Sequence, residues 1–214
     1  MKKLLLIACA AATAVSAARA ADVALFTLKL TTDKTPRQFA IEFYDADAPQ
    51  TVENFKKLTR KKYYNGVAIH RIFPHILVQT GDPFSKGKDR AKVGTGGPGY
   101  TLPPEIHRKH TKGAVAMGRL PDKVNPGRLS NGSQVVICLT PMPSYDGQYT
   151  VFGNVIEGLD VLDQISEQAV DSNDNPLKRV EITSGKIIPR EKLPPPPGTA
   201  APAPRHKKPW WKIY

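Results

Sequence analysis

Short apolar runs, alternating or β-branched and broken by Gly, Pro, Asp and Asn, recur along this chain and leave little choice of architecture. They are "DVALFTLKL" (22–30), "FAIEF" (39–43), "VAIHRIF" (67–73), "ILVQT" (76–80), "GAVAMG" (113–118), "QVVICLT" (134–140), "YTVFGNVI" (149–156) and "VEITSGKII" (180–188). Their lengths and compositions are those of β-strands. Only two segments carry a helical period. "PQTVENFKKLTRKKYY" (49–64) puts Pro49 at the first helical position after Asp47, aligns Val52, Phe55 and Leu58, and ends on bases, as the helix dipole favours. "GLDVLDQISEQ" spaces Leu159, Leu162 and Ile165 by three. Eight strands at short, uneven intervals with two helices predict a mainly β fold, an antiparallel barrel or sandwich rather than a doubly wound sheet. One helix falls between the second and third strands and the other before the last, where they would plug the open ends of a barrel. No internal repeat is present.

The two ends of the 214-residue chain differ in kind from this body. "MKKLLLIACAAATAVSAARA" has a Lys2-Lys3 head, an Ala/Leu-rich middle and small residues at Ala18 and Ala20, the layout of a secretory signal peptide with cleavage after Ala20. The apolar run from Leu4 to Ala18 is shorter than the roughly 20 residues of a spanning helix, which argues against an anchor. Leu6-Ile-Ala-Cys9 resembles a lipoprotein processing box, but the apolar stretch before Cys9 is very short for lipidation. Removing the leader takes Lys2, Lys3 and Arg19 and no acid, so the formal charge falls from +12 to +9. Only Cys138 survives, so no internal disulfide can form in an oxidising destination, and "QVVICLT" predicts a buried, inert thiol. The expected organisation is a signal peptide (1–20), one domain (21–190) and a tail (191–214), with export to the periplasm or beyond. "LPPPPGTAAPAPRHKKPWWKIY" (193–214) is a proline-rich spacer followed by Arg205, Lys207, Lys208 and Lys212 around Trp210-Trp211. Such an end suits contact with anionic lipid, wall polymer or a protein, or simply a solvated tail.

Several chemistries are excluded by context. Gly94-Thr-Gly-Gly-Pro-Gly99 satisfies G-x-G-x-x-G literally, but Pro98 and Pro103-Pro104 prevent a helix from opening there, so it reads as a loop. His107 and His110 in "HRKH" have no second ligand pair nearby and read as solvated loop histidines; no metal is expected. A Cys–His nucleophile needs an exposed thiol. The basic balance suits nucleic acid, but export and the lack of a stacking-aromatic pattern argue against it.

One stretch resists a purely structural reading. "VAIHRIFPHILVQTGD" (67–82) is mostly apolar, yet holds Arg71 and Gln79. As one strand, 67–73 would place Val67, Ile69, Arg71 and Phe73 on a single face. A guanidinium in that company needs a hydrogen-bond acceptor, and the Gln79 amide is a suitable one. An edge arginine snorkelling to water is the alternative.

These residues come with others in a familiar order: Val52-Glu-Asn-Phe55, Ile69-His-Arg-Ile-Phe-Pro74, Gln79-Thr-Gly-Asp82, Gly113-Ala-Val-Ala-Met117, Asn131-Gly-Ser-Gln134 with Ile137-Cys138, and Asp146-Gly147 leading to Val151-Phe-Gly153. Over residues 22–188 the chain resembles the cyclophilin family of peptidyl-prolyl cis-trans isomerases. The resemblance implies an eight-stranded antiparallel barrel capped by two α-helices, in agreement with the pattern of strands and helices. It also implies rotation about X-Pro bonds without cofactor or metal, proline-containing peptides and unfolded clients as partners, and a monomer. Its implied catalytic pair is Arg71, donating to the proline nitrogen, and Gln79, holding Arg71 and contacting the substrate backbone. Implied substrate-binding positions are His70, Ile76, Leu77, Gly118, Arg119 (through its backbone N–H), Gln134, Val136, Tyr145 and Tyr149.

The pocket departs from the family pattern. Ile76 and Val136 stand where phenylalanine is usual, Leu77 for methionine, Ser144 at a position often aromatic, Tyr145 for leucine and Tyr149 for histidine. Arg119 replaces an asparagine, and the segment between Met117 and Asn131 is longer than in compact members. Losing two rings weakens proline binding by on the order of 1–3 kcal/mol of apolar contact and predicts poor cyclosporin binding. Two readings follow: an exported isomerase that assists folding, or a feebly active proline-segment binding module whose tail docks to the envelope. A purely structural envelope protein would not explain why the groove-forming fragments occur together.

Overall fold

The computed structural model describes residues 21–31, 35–87 and 89–195. The predicted leader and all but the first residues of the tail lie outside them. β1 (Asp22–Leu30) sends alternate residues Ala24, Phe26 and Leu28 into the core, buries Val23 as well, and pairs with β2 (Arg37–Phe43) on one side. The other strands are β3 (Ala68–Ile69), β4 (Arg71–Phe73), β5 (Leu77–Thr80), β6 (Ala114–Met117), β7 (Val135–Cys138), β8 (Val151–Glu157) and β9 (Val180–Pro189). All pair antiparallel in the order β3-β9-β1-β2-β8-β6-β7-β5-β4.

The sheet has nine strands rather than the predicted eight because the run 67–73 breaks at His70. β3 turns to β9, while β4 turns to β5. The two edges of the sheet are therefore consecutive in the chain, joined through His70, and no ladder closes them. The break also overturns the single face predicted for this run. Ile69 and Ile72, three apart, both enter the main core, whereas Arg71 and Phe73 face the other side.

α1 (Pro49–Arg60) does start at Pro49 and buries Val52, Phe55 and Leu58. It ends earlier than predicted: Lys62 adopts a left-handed φ of 58°, and Tyr64 turns back into the core. Its N-cap, Ala48, has no side-chain hydrogen-bond acceptor. The orphan N–H groups of Gln50 and Thr51 donate instead to the Glu105 carboxylate at 3.0 and 2.9 Å. The Phe55 ring lies against Phe26, Phe43, Tyr64 and Phe152, joining α1 to the sheet. α2 (Leu159–Ser166) adds Leu162 and Ile165 to the same core and packs on β2 and β5. It opens at Gly158, φ 75°, where a Cβ would stand 2.2 Å from the Gln38 carbonyl. Cys138 is fully buried, and burial, helped by the Asp146 charge, pushes its thiol up to about 12, an inert group as predicted. Among the described residues no helix is long and apolar enough to cross a membrane.

Candidate active site

The strand register assembles the site. Arg71 on β4 lies opposite Gln79 on β5, Gln79 opposite Val136 on β7, and Val136 opposite Ala116 on β6. Cross-strand partners share a face, so these four form one row across four strands. Two residues along each of these strands runs a parallel row, Phe73, Leu77 and Cys138. Leu77, Ala114, Ala116, Cys138, Met142 and Val151 make a second apolar cluster on this face, with Phe73, Val136, Tyr145 and Tyr149 half-buried against it. The result is an apolar shelf with a guanidinium at its edge.

Arg71 is 46% exposed at its side chain. Its guanidinium carbon sits 4.6 Å from the Phe73 ring centroid, and Nε donates to Asp174 Oδ2 at 3.3 Å. No hydrogen bond occupies its Nη atoms among the described residues. Gln79 does not hold it, contrary to the implied role: the Gln79 amide Nε2 donates to Gln134 Oε1 at 2.8 Å. Asp174 does that work from a loop 103 residues away, with its own φ at 60° and its carbonyl accepting the Ile72 N–H at 2.9 Å. "DSNDN" announces a turn, but nothing in the sequence links it to Arg71.

Gln134 is fixed in turn. Its Nε2 donates to the Gly94 and Gly96 carbonyls at 2.9 and 2.8 Å, and its backbone N–H to Asn131 Oδ1 at 3.0 Å. The Gly94–Gly96 segment is a loop, as predicted. The fully buried Asp82 carboxylate holds it, accepting the N–H groups of Phe84, Gly94 and Gly96. Gly81, φ 94°, lets this chain pass the Ser133 carbonyl, 2.1 Å from where a Cβ would stand. Beside the shelf runs a groove of about 600 Å³ lined by Gln79, Gly118, Arg119, Gln134 and the apolar rim Leu120, Val124 and Leu129. Arg71 does not line it.

Arg119 has two separate jobs. Its side chain is only 4% exposed and is clipped in place: Nε donates to the Gln148 carbonyl at 2.8 Å, Nη1 meets Asp122 at 2.5 Å, and the group lies over the Tyr149 ring. That ties the long 120–130 segment to the wall carrying Tyr145 and Tyr149. Its backbone N–H has no hydrogen-bond partner among the described residues, and the residue lines the groove. Gly118 differs: its N–H donates to Gln134 and its carbonyl accepts from Asn131, both at 2.8 Å, so it contributes shape alone.

Three positions are not on the shelf. Ile76 is 44% exposed on the turn into β5, and Ser144 is exposed on a 3-10 turn. His70 is 5% exposed, and neither ring nitrogen makes a well-formed hydrogen bond among the described residues. Burial holds its pKa below the usual 6.5, against the opposing pull of Asp82. Of the "HRKH" pair, His107 is exposed as predicted. His110 is not solvated: it is 3% exposed, edge-on to Tyr145 and Tyr149, with Nδ1 3.1 Å from Asp146 Oδ1. The Asp146 carboxyl is held below its ordinary range, chiefly by the His110 backbone N–H. Among the described residues no three His, Cys, Asp or Glu side chains group as metal ligands.

Comparison with known proteins identifies the family. Residues 27–187 match the family described as cyclophilin type peptidyl-prolyl cis-trans isomerase/CLD. The chain is 37% identical over 158 residues to the peptidyl-prolyl cis-trans isomerase-like 1 of Aspergillus fumigatus, covering 73% of this chain and 92% of that protein. It is 37% identical over 133 residues to a peptidyl-prolyl cis-trans isomerase of Helicobacter pylori, covering 60% and 74%. A cyclophilin type isomerase of Cryptosporidium parvum superimposes with a TM-score of 0.65 at 23% identity, covering 79% of this chain and 98% of that one. The same protein in the presence of the dipeptide Ala-Pro gives 0.61, over 76% and 98%. These two structural matches speak to the fold alone. Sequence match, fold and shelf converge: the chain belongs to the cyclophilin-type family of peptidyl-prolyl cis-trans isomerases.

Proposed function

We propose that this chain catalyses X-Pro rotation in exported proteins, with Arg71 as the donor that stabilises the twisted imide. The barrier is about 18–20 kcal/mol because the nitrogen lone pair conjugates with the carbonyl. Spontaneous exchange takes tens to hundreds of seconds, so a useful acceleration of about 10⁴ means about 5.5 kcal/mol off the barrier. At the twisted state the nitrogen becomes pyramidal and its lone pair becomes a hydrogen-bond acceptor. A donor waiting there binds that state alone, and so raises the rate rather than simple affinity. Arg71 suits the role: Nε is tied to Asp174, its plane rests on Phe73, and its Nη groups are unoccupied among the described residues.

The proline ring would rest on the shelf of Phe73, Leu77, Val136 and Tyr145. The preceding residues would lie in the groove, with the Arg119 N–H and the Gln79 amide oxygen as backbone anchors. The observation that carries this reading is the single row Arg71–Gln79–Val136–Ala116, which sets donor, amide and apolar floor on one face. Export rests on the leader-like residues 1–20. A binding module of low activity is the second reading, favoured by Ile76 standing exposed and Val136 offering little area. Isomerisation of short Ala-Pro peptides, followed by NMR exchange, separates the two. Wild type should exceed Arg71→Ala by about 10²–10³, the value of one transition-state donor. Equal rates would leave the binding module.

A further inference from the structure

A second groove lies away from the shelf, between the strand ends of β1, β2 and β8 and the α2 helix, with a volume of about 650 Å³. Leu25 and Val161 give it an apolar floor, Glu157 and Asp160 an acidic rim, and Pro194 and Pro195 complete one wall. Those two prolines are the last residues the structure describes. At Pro195 the chain thus lines its own groove, and 19 further residues follow in the sequence.

Charge says what fits there. From Val151 to Leu177 the sequence holds six acids (Glu157, Asp160, Asp163, Glu167, Asp171 and Asp174) and no Lys or Arg, in a chain with 31 bases against 19 acids. Four of the six lie beside a basic side chain: Asp163 and Glu167 are 3.0 and 3.9 Å from ring nitrogens of the single His75, Asp171 faces Arg90 and Asp174 faces Arg71. The two with no ionic partner among the described residues are Glu157 and Asp160, those on the groove. Arg37, at the same groove, donates to Gln164 at 2.6 Å. After Glu191 the chain has no acid, but carries Arg205, Lys207, Lys208 and Lys212.

We propose that residues 196–214 fold back onto this groove, the proline stretch over Leu25 and Val161 and the cations of 205–212 against Glu157 and Asp160. Reach is ample: after a reversal at Gly198 the six residues 199–204, extended at about 3.1 Å each, cover roughly 19 Å, against roughly 12 Å for the eight residues of α2. Gly198 permits the reversal that brings the cationic end back over the rim. The docked tail covers apolar surface that the fold leaves open, and it keeps Trp210 and Trp211 off solvent.

The test is built into the chain, whose only two tryptophans are Trp210 and Trp211. Tryptophan fluorescence of the full chain, excited beyond the tyrosine absorption band, therefore reports on the tail alone. Docking predicts an emission maximum blue-shifted from that of the synthetic peptide 205–214 and acrylamide quenching roughly two-fold weaker, because the indoles lie against protein. Glu157→Gln with Asp160→Asn, or salt near 1 M, where the Debye length is about 3 Å, should move both values toward the free peptide. The salt arm needs no variant to fold. Emission and quenching equal to the peptide's would overturn the proposal, as would a shift indifferent to both charge removal and salt. A shift that disappears on dilution would assign the groove to a second copy's tail. A shift seen only on adding phosphatidylglycerol vesicles would assign the tail to a lipid surface. Either outcome rejects the intramolecular dock.

Discussion

Removing the carboxylate that holds Arg71 tests the catalytic reading more sharply than removing Arg71 itself. Asp174 sits at φ 60°, a conformation glycine adopts freely, so Asp174→Gly deletes the side chain without straining the loop. The loop keeps its own ties, Asp171 Oδ1 accepting the N–H groups of Asn173 and Asn175 at 2.9 and 3.1 Å. With Arg71 and Asp174 46% and 34% exposed, the pair contributes about 0–1 kcal/mol to stability, and the denaturant midpoint should barely move. Two opposing effects act on the rate. Freeing the guanidinium returns part of the roughly 1.5–2 kcal/mol of rotamer entropy an arginine loses when fixed. Phe73 still restrains the plane, so about 0.5–1 kcal/mol reaches the barrier, a two- to five-fold loss in kcat/KM. Against this, deleting a neighbouring anion strengthens the Arg71 field. The acceptor at the twisted imide is a lone pair rather than a full charge, and the pair is open to solvent, so screening leaves that gain the smaller term. The net expectation is a two- to five-fold fall, read by NMR exchange of an Ala-Pro peptide below saturation. In an Arg71→Ala background the same change should do nothing. An unchanged or faster rate in the single variant, or a loss that persists without Arg71, would refute the positioning role.

Two further outcomes follow from the shelf and from the buried His70. Val136→Phe extends the floor over the small neighbour Ala116 and adds about 1 kcal/mol of apolar contact, so KM should drop about five-fold with kcat nearly constant; an unchanged KM would mean that proline rests elsewhere. His70 has a native pKa below 6.5, so as pH falls through 6.5 the unfolded chain takes up a proton before the folded one does. Stability should decline from there toward the native His70 value. His70→Gln should flatten that part of a urea-midpoint profile, and an equally steep decline in the variant would locate the titration in another group.

The alternation of 22–30 and the stripes of the two helices were legible because each is a local period that burial reads directly. What escaped was set by distant partners. The run 67–73 is apolar throughout, so its sequence does not say that its first half pairs with β9 and its second with β5; the kink at His70 exists because those neighbours lie on opposite sides. Glu105 caps α1 from 55 residues away, and Asp174 meets Arg71 across 103, separations at which no spacing rule operates. His110 looked solvated beside His107, Arg108 and Lys109, yet the turn at Asp146 draws it under two tyrosines. Within the candidate site, the fragments that resemble the family single out Arg71 and Gln79, Val136 stands out as a departure from them, and the strand register places the three in one row. The exchange of Arg71's partner from Gln79 to Asp174 could not.

That exchange fits the mechanics of the reaction. Rotating an imide requires one side of the peptide to be held while the other swings, so a site closed all round would obstruct its own product. In the proposed binding mode the held side would meet a walled groove, the Gln134–Gln79 amide pair and the Arg119 N–H. The swinging side would meet β4, the last strand of the sheet, where Arg71 stands half-exposed at an open edge. Anchoring Arg71 from outside the shelf, through Asp174, keeps the donor stationary without placing a wall in the path of the moving segment. A Gln79 tether would have drawn the guanidinium inward across the floor that the proline ring needs. Edge placement with an external tether therefore lets one residue be both rigid and unobstructed, the combination that a rate enhancement by a single donor demands.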